Sequence, residues 1–444
     1  MLFESNLAGD RRYAVLWLLG IALLIAACSG DNQSAEDMTP TLNATVPPTL
    51  AVTAAPLAAE ITPEAVEPTE IHIWWPDTIA PPGNSDASAL LTSQIEGFQT
   101  ARADVLVSSR LKKIDGAGGI ITSLRSASAV APGALPDLTL IRREDLAAAA
   151  QAGLIQPLEG LVSSAILGDL YTSALALGQV NGELYGLPYA LQVQHVAYQG
   201  ESAADDLTWR LEDVLARDIS FVFPAAGRSG GIGDVFLLQY LAAGGSLLED
   251  GTLSLNADAL HDTLAFYEQG VRTGTISSSV LDYNSAIVYQ DQLADGVIDA
   301  GLVTSTGYLD LLASGVDLQP APIPTVSGQP VTVLSGWMWV LVTNDANRQA
   351  LVADFLSWML DAERQGQYTH AVHLLPSQRT ALRQWDETGY VEFLSGLLTN
   401  ARLPLPEGAG GTVSRALQNA LTAVLSGQAT ADEATAAVVQ QLTS

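Results

Sequence analysis

The sequence is poor in the residue types that build covalent cross-links and metal sites. It has one cysteine, Cys28, and five histidines among 444 residues. A single cysteine cannot form an intrachain disulfide or a cysteine-based metal cluster. The small number of histidines also excludes most kinds of zinc and iron site, which need several imidazole or thiolate ligands.

Basic residues are scarce as well. The chain has 19 lysines and arginines against 48 acidic residues, which gives a formal net charge of −29, and its only lysines are Lys112 and Lys113. A chain of this charge repels phosphate backbones and anionic lipid headgroups. We therefore expect no nucleic-acid partner.

Apolar residues are plentiful. Hydrophobic residues make up 48% and charged residues 15% of the sequence, which is typical of a folded protein with a core and not of a disordered chain. At 444 residues the chain is about three times the usual size of one domain, so we expect two large lobes or domains.

The first residues have the pattern of a secretory signal. Arg11 and Arg12 precede an apolar run over 14–27 that ends in small residues. This run is shorter than the ~20 residues that a permanent membrane-spanning helix needs. An uncleaved anchor is the alternative interpretation.

The end of this segment explains the lone cysteine. Ile25-Ala26-Ala27-Cys28 resembles the lipobox of bacterial lipoproteins, which implies cleavage before Cys28 and acylation of that residue. Several acyl chains on one residue give stable membrane attachment. We therefore assign 1–28 to a lipoprotein signal peptide and expect the chain to be anchored at the outer face of the cytoplasmic membrane.

Residues 29–69 differ in composition from the rest of the chain. They are rich in threonine, alanine, proline and glutamate and show neither helical nor strand periodicity. Such a segment has no apolar face to bury, and its prolines keep it extended. We predict a disordered tether between the anchor and a folded body that begins at residue 70.

In the folded body, strand-like and helix-like segments alternate. The predicted strands are 70–75, 104–108, 137–141, 219–223 and 331–342. The predicted helices are 88–100, 144–152, 234–243, 257–272, 347–360, 412–426 and 430–442. This alternation predicts an α/β architecture with parallel sheets.

Several short motifs follow one another in an order that resembles the extracellular solute-binding lipoproteins of ABC importers, in particular the sugar-binding family 1. The most specific of them is Asn181-Gly-Glu-Leu-Tyr-Gly-Leu-Pro188. The others are Ile71-His-Ile-Trp-Trp-Pro76, Leu135-Pro136-Asp137, Ala152-Gly-Leu-Ile-Gln-Pro-Leu158, Leu207-Thr-Trp209, Asp295-Gly-Val-Ile-Asp-Ala-Gly301, Pro322-Ile-Pro324 with Trp337, and Asp354-Phe-Leu-Ser-Trp358 with Leu375-Pro376.

The resemblance implies a two-lobed, periplasmic-binding-protein-like fold of type II, with the ligand held between lobes that hinge strands join. It implies chain crossings near 188–196, 302–308 and 340–345. The N-lobe would then consist of 70–190 and 302–342, and the C-lobe of 191–301 and 343–444. A member of this family works as a monomer, closes on a small ligand and delivers it to the permease of an ABC importer, without a catalytic cofactor.

Candidate ligand contacts follow from strand ends, polar hinge residues and the resemblance. Ligands of open α/β sheets bind beyond the carboxyl ends of the strands. Adjacent residues of a strand face opposite ways, so one tryptophan of the pair at 74 and 75 is expected in the core. Core packing is an equal alternative for Trp337 and Trp339. For Gln194 and Tyr198 the alternative is a hydrogen bond between the lobes, and for Arg142 it is a surface ion pair with Glu144 or Asp145. The full set is Trp74, Trp75, Asp77, Arg142, Gln194, Tyr198, Tyr308, Trp337 and Trp339.

Aromatic faces and hydrogen-bonding groups together suit a carbohydrate, which has apolar C–H faces and hydroxyls at its rim. A polyamine is the alternative ligand, because an acidic, tryptophan-rich cleft also suits a cation. Gly410-Gly411-Thr412-Val413 has no aromatic residue where maltose-type members have one, which argues against long linear glucans. A ligand sensor without transport remains a further alternative.

A different class of function is indicated by Gly227-Arg-Ser-Gly-Gly231, which matches the G-x-S-x-G pattern of serine hydrolases. Ser229 could use His261, His370 or His373 as its base. In hydrolases this serine joins strand directly to helix, whereas here extra residues stand on both sides of the motif, and Asp234 resembles the N-cap of the following helix. A secreted serine esterase is therefore the second hypothesis.

Overall fold

The structure, a computed structural model, describes residues 67–80, 84–200, 207–227, 231–249, 252–404 and 411–443. The predicted signal peptide, Cys28 and all but the last three residues of the predicted tether lie outside the described residues, as does Ser229. The predictions for these segments therefore stay predictions. The first strand begins at Thr69, one residue before the predicted start of the folded body.

Helices and strands alternate along the chain. The strands are β1 Thr69–Pro76, β2 Val105–Lys112, β3 Leu138–Arg142, β4 Gln179–Val180, β5 Glu183–Leu184, β6 Gly186–Tyr198, β7 Phe221–Val222, β8 Leu248–Glu249, β9 Thr252–Leu253, β10 Ala300–Thr304, β11 Gln319–Ala321, β12 Thr332–Leu341, β13 Leu375–Pro376 and β14 Ala401–Arg402.

Each of the seven predicted helices agrees with an observed one to within a few residues at each end, and the described residues contain nine further α-helices that the sequence analysis did not predict. They are α1 Ser85–Ala101, α2 Ile120–Val130, α3 Arg143–Gln151, α4 Ser164–Asp169, α5 Thr172–Leu177, α6 Leu211–Ala216, α7 Asp234–Ala242, α8 Ala257–Thr273, α9 Gln290–Ala294, α10 Ser305–Ala313, α11 Ala346–Met359, α12 Ala362–Ala371, α13 Arg379–Leu382, α14 Thr388–Thr399, α15 Gly411–Leu425 and α16 Ala431–Thr443. Three short 3-10 helices occur at Pro132–Ala134, Ser278–Asp282 and Ala286–Tyr289.

Most strands belong to one sheet in the order β2-β1-β3-β12-β6-β10-β7. β1 runs parallel to β2 and β3, and β10 runs parallel to β7. β6 runs antiparallel to β10 and β12, and β12 runs antiparallel to β3. The sheet is therefore mixed and not purely parallel, as the alternation of elements had suggested. β6 is long and almost continuously buried, which is expected of a strand that is covered on both faces.

β6 divides this sheet into two regions. Residues 186–193 of β6 pair with β12, and with β2, β1 and β3 these strands form what we call the first sheet region. Residues 194–198 of β6 pair with β10, and with β7 and β11 they form the second sheet region. One strand therefore passes from one region to the other, between Val193 and Gln194.

The predicted lobe boundaries at 302 and 343 do not follow this pairing. Residue 302 lies inside β10, which pairs along its whole length with residues 194–198, and β11 pairs there too. Beyond 343, Phe355 of α11 packs on Trp339 of the first sheet region, with ring centroids 6.1 Å apart. The chain returns to the first sheet region only at β12, later than predicted, and α11 then packs on that region instead of crossing back at 343.

The C-terminal helices lie on the second sheet region. α15 and α16 pack against each other and against α8, and Phe266 of α8 lies over Phe221 of β7 with ring centroids 6.4 Å apart. Within the described residues, no helix combines the length and apolar character needed to cross a membrane.

Candidate ligand-binding site

The carboxyl ends of two sets of parallel strands face each other at the middle of β6. β3 ends at Arg142, whose partner on β12, Trp337, is also paired with Ala190 of β6. β10 runs the opposite way and ends at Thr304, which is paired with Gln194. The two sets of ends are thus separated by four residues of β6, about 13 Å. We call the space beyond these ends the cleft, the place where ligands of open α/β sheets bind.

Arg142 lies on the first side of the cleft among carboxylates. Its Nη2 is 2.8 Å from Asp115 Oδ1, and its Nε is 3.2 Å from Glu144 Oε1 and 3.4 Å from Asp145 Oδ2. The expected alternative, an ion pair with Glu144 or Asp145, is therefore present. Burial raises the pKa of Asp145 against the opposing effect of Arg142. The group as a whole offers a ligand both donors and acceptors.

Trp74 and Lys112 lie together at the ends of β1 and β2. The Lys112 ammonium is 4.1 Å from the centroid of the Trp74 ring, which is almost fully buried. Asp77 follows β1 directly, donates its backbone N–H to the Lys112 carbonyl at 2.9 Å, and is partly exposed. This edge of the cleft therefore has a tryptophan beneath a cation, with a carboxylate beside it.

Trp75 and Trp339 do not line the cleft. Both are fully buried, with ring centroids 4.9 Å apart, and both pack on Tyr189. Strand alternation explains the difference between neighbours, because Trp75 faces the helix layer of α11 and α12 while Trp74 faces the opposite side. The expectation that one member of the first tryptophan pair packs in the core agrees with this placement.

Trp337 has an intermediate position. It is paired with Arg142 on one side and Ala190 on the other, so its backbone lies at the edge of the cleft. Its side chain is nine-tenths buried and packs in the same apolar cluster as Trp339. Only a narrow part of this ring is open to a ligand.

The floor of the cleft is formed by polar residues of β6. Gln192 Nε2 donates to Thr306 Oγ1 at 2.8 Å, and Gln194 Nε2 donates to Asp234 Oδ2 at 3.1 Å. Thr332 Oγ1 accepts from the Gln194 backbone N–H at 3.0 Å and donates to the Gln194 carbonyl at 2.7 Å. These bonds connect the hinge strand to β12, α7 and α10.

Asp234 is the first residue of α7, and its N-cap is Gly233, not Asp234 as the sequence suggested. A glycine has no side chain that could cap the helix. The backbone N–H of Gly233 donates to Gln418 Oε1 at 3.1 Å. The Asp234 carboxylate accepts the hydrogen bond from Gln194 at the cleft.

Tyr308 and Tyr198 lie elsewhere than predicted. Tyr308 is buried, its hydroxyl donates to the Leu318 carbonyl at 2.8 Å, and its ring packs on Tyr390. Tyr198 ends β6 opposite Ala300, the amino end of β10, so it lies away from the cleft, beside Arg217. Both corrections follow from the path of β10, whose carboxyl end points back toward Gln194.

A cavity of about 330 Å³ adjoins the second side of the cleft at Asp234. It runs along the face of α7, opposite the start of β12, β14 and the residues that follow β14, and it is partly open to solvent. We call it the α7 cavity. Its lining residues are Asp234, Leu237, Leu238, Leu241, Val333, Arg402, Leu403 and Pro404.

Four polar residues of the cleft are absent from the sequence-based set: Lys112, Gln192, Asp234 and Thr306. Gln192 could have been found, because residues two apart on a strand share a face and Gln194 was already a candidate. The positions of the others depend on where β2 ends and where α7 and α10 begin relative to β6, which the sequence does not reveal.

The family of the chain follows from a family model. The model described as bacterial extracellular solute-binding protein matches residues 121–388. The chain belongs to this family. Membership places it outside the cytoplasm among binding proteins, and confirms the resemblance on which the sequence-based prediction depended. No curated protein sequence shows a significant match to the chain.

Solved structures show the same fold. One is the cyclic alpha-maltosyl-1,6-maltose binding protein from Arthrobacter globiformis, with 18% identity, a TM-score of 0.64, and 84% of this chain and 97% of that chain covered. Another is the maltose-binding protein MalE from Listeria monocytogenes in complex with maltose (15% identity, TM-score 0.62, 84% and 98% covered). A third is a solute-binding protein from Thermotoga lettingae bound with alpha-D-tagatose, with 17% identity, a TM-score of 0.59, and 84% of this chain and 98% of that chain covered. The predicted two-lobed, periplasmic-binding-protein-like α/β fold is confirmed.

The three histidines that the esterase hypothesis requires each lie beside a carboxylate. His261 Nε2 is 3.2 Å from Asp432, His370 Nε2 is 3.0 Å from Glu387, and His373 Nδ1 is 2.5 Å from Asp310. Ser229 itself lies outside the described residues. A histidine beside a carboxylate is also what a serine hydrolase needs, so the esterase hypothesis stays a hypothesis.

Proposed function

We propose that this solute-binding protein captures a carbohydrate in the cleft and delivers it to an ABC importer. The observation that carries the proposal is that polar side chains of both sheet regions flank the middle of β6. Arg142 and its carboxylates belong to the first region, Thr306 and Asp234 belong to the second, and Gln192 and Gln194 connect them.

The chemistry of this set favours a polyhydroxylated ligand. The guanidinium of Arg142 and the three carboxylates around it, those of Asp115, Glu144 and Asp145, present hydrogen-bond donors and acceptors side by side. Hydroxyl groups can both donate to and accept from such side chains. The edges of Trp74 and Trp337 supply limited apolar contact. Similar structures named for maltose and alpha-D-tagatose support the same ligand class.

The proposed mechanism is closure of two lobes about β6. A ligand that contacts groups of both regions binds the closed state more tightly, and this differential affinity drives closure. The bond from the Val193 N–H to Ser305 Oγ, 3.2 Å, lies at the point where the strand passes between regions. We assign the first lobe to β1–β3, β12 and the helices on them, and the second lobe to β7, β10, β11 and α15–α16.

Thermal denaturation of the full chain in detergent, with mono- and oligosaccharides, polyamines, amino acids and short-chain esters, tests the ligand class. A ligand at ~100 times its Kd stabilises the folded state by about 2.7 kcal/mol. We expect a rise in Tm with one class of saccharide, reduced in Arg142→Ala and retained in Arg125→Ala, an exposed arginine of α2. A rise with polyamines alone, or hydrolysis of an ester that Ser229→Ala abolishes, would contradict the proposal.

We further propose that Cys28 is the lipid anchor. Cys28→Ala should move the chain from the membrane fraction to the soluble fraction of the envelope or medium, and it should remove the acyl mass from the mature N-terminus.

Delivery of the ligand to an importer is tested separately. Deletion of the protein should abolish uptake of the bound saccharide. Normal uptake with intact binding would favour the sensor alternative.

A further inference from the structure

The α7 cavity differs in chemistry from the rest of the cleft. Leu237 and Leu241 lie on one face of α7 with Asp234, at helical spacing, and Leu403 lies on the opposite side. Among the described lining residues, every apolar side chain is aliphatic and none is aromatic. A flat sugar ring stacks best on an aromatic face, so this cavity is poorly suited to a pyranose.

The wall of the cavity is connected to the cleft floor at two places. Asp234 lines the cavity and accepts a hydrogen bond from Gln194 at the cleft floor. Val333 lines it too, and its neighbour Thr332 bonds to the Gln194 backbone. A ligand held by polar groups at the floor can therefore extend a substituent into the cavity without leaving the cleft.

We propose that the ligand is a saccharide with a short aliphatic substituent, and that the α7 cavity holds this substituent. The inference rests on the proposed carbohydrate function and names the subclass of ligand. The volume of about 330 Å³ corresponds to roughly ten water molecules in the liquid, which is enough for an alkyl chain of several carbons. Arg402 and Asp234 supply polar contacts at its border.

Calorimetric titration with matched glycosides tests the proposal on the full chain. The probes are methyl and n-hexyl glucopyranosides and methyl and n-hexyl maltosides, beside free glucose and maltose. Each buried methylene is worth about fourfold in affinity, so we expect at least about tenfold tighter binding of a hexyl glycoside than of its methyl partner. Equal affinities would overturn the inference while leaving the carbohydrate function intact.

Two variants test whether the tighter binding of a hexyl glycoside arises in the α7 cavity. Leu403 is 39% exposed, so Leu403→Gln should leave folding unaffected. It should remove most of the difference in affinity between the hexyl and the methyl glycoside. Leu241→Gln on α7 should act in the same way. Leu106→Gln, on β2 and 47% exposed, is the matched control and should keep this difference. A hexyl gain that persists in both cavity variants would overturn the inference, as would binding of free sugars with no binding of either glycoside. Absence of binding by every saccharide would overturn the carbohydrate function as well.

Discussion

The ammonium of Lys112 lies over the face of Trp74, with Nζ 4.1 Å from the ring centroid and 3.3 Å from Ser123 Oγ. Partial burial is the main cause that lowers the pKa of Lys112, and the nearby Arg110 contributes in the same direction. One of only two lysines in a strongly acidic chain is therefore used to cover an aromatic ring at the edge of the cleft.

This contact predicts a stabilising role for Lys112. Lys112→Met keeps the aliphatic stem and removes the charge, so we expect the free energy of unfolding to fall by about 0.5–1 kcal/mol in urea titrations. Lys113→Met is the matched control, because Lys113 has no aromatic ring beneath it in the described structure. Equal stability of the two variants would contradict a cation–π contribution.

His195 makes stability depend on pH. It is fully buried beside Tyr308 and Tyr390, and burial lowers its pKa to about 4 against a smaller opposing effect of the Val196 carbonyl. Its Nδ1 donates to that carbonyl at 2.9 Å, so Nε2 accepts from the Tyr390 hydroxyl at 2.9 Å. The native imidazole is therefore neutral.

The sign of the effect follows from this pKa. The unfolded chain takes up a proton at His195 near pH 6.5, while the folded chain does so only near pH 4. Stability is therefore lost as the pH falls from 6.5 toward 4, by up to about 3 kcal/mol. His195→Gln cannot titrate, so its unfolding free energy should depend less on pH over this range. Parallel pH profiles for the two proteins in urea unfolding would refute the assignment.

Asp137 is the buried partner of an ion pair between the turn before β3 and α11. Its carboxylate accepts from the His72 backbone N–H at 2.7 Å and from Arg348 Nε at 2.5 Å, and a second guanidinium bond comes from Arg348 Nη2. Arg348→Met would leave this buried carboxylate without its counter-charge, so we expect a loss of about 3 kcal/mol.

A second pair of variants separates charge from packing in this prediction. Asp137→Asn combined with Arg348→Met should recover part of the lost stability, because no buried charge then remains unpaired. Arg102→Met, which breaks an exposed pair with Asp104, should have a much smaller effect. If Arg348→Met and Arg102→Met melt at the same temperature, the buried pair does not contribute as proposed.

Local patterns in the sequence predicted the elements well and the meeting of distant elements poorly. The boundaries of α3, α8 and α11 were predicted to within a residue, because apolar periodicity and capping residues are local signals. The burial of Trp75 and Trp339 depends instead on α11 and α12, which cover β1 from far along the chain. No local signal shows that these helices return to the first sheet region.

The same limit applies to the site. Arg142 was found because a strand end is visible in the sequence, and Gln194 because it is a polar residue in an apolar strand. Asp234 and Thr306 reach the cleft only because α7 and α10 begin beside β6, which depends on the order of strands in the sheet. Tyr308 was misplaced for this reason: the resemblance puts it just after the second crossing, whereas the chain crosses later, at β12.

The revised position of Tyr308 gives a prediction that separates packing from ligand binding. Tyr308→Phe removes the hydroxyl that donates to the buried Leu318 carbonyl at 2.8 Å, so we expect a loss of about 1–2 kcal/mol in the free energy of unfolding. Because the ring packs on His195 and Tyr390 beneath β6, ligand affinity should not change. Gln192→Leu should show the opposite pattern. It removes a polar group from the cleft floor, so ligand binding should weaken while the free energy of unfolding should not change. Calorimetric titration of both variants with the same saccharide tests this prediction. Weaker binding by Tyr308→Phe at unchanged stability would mean that Tyr308 contacts the ligand in the cleft.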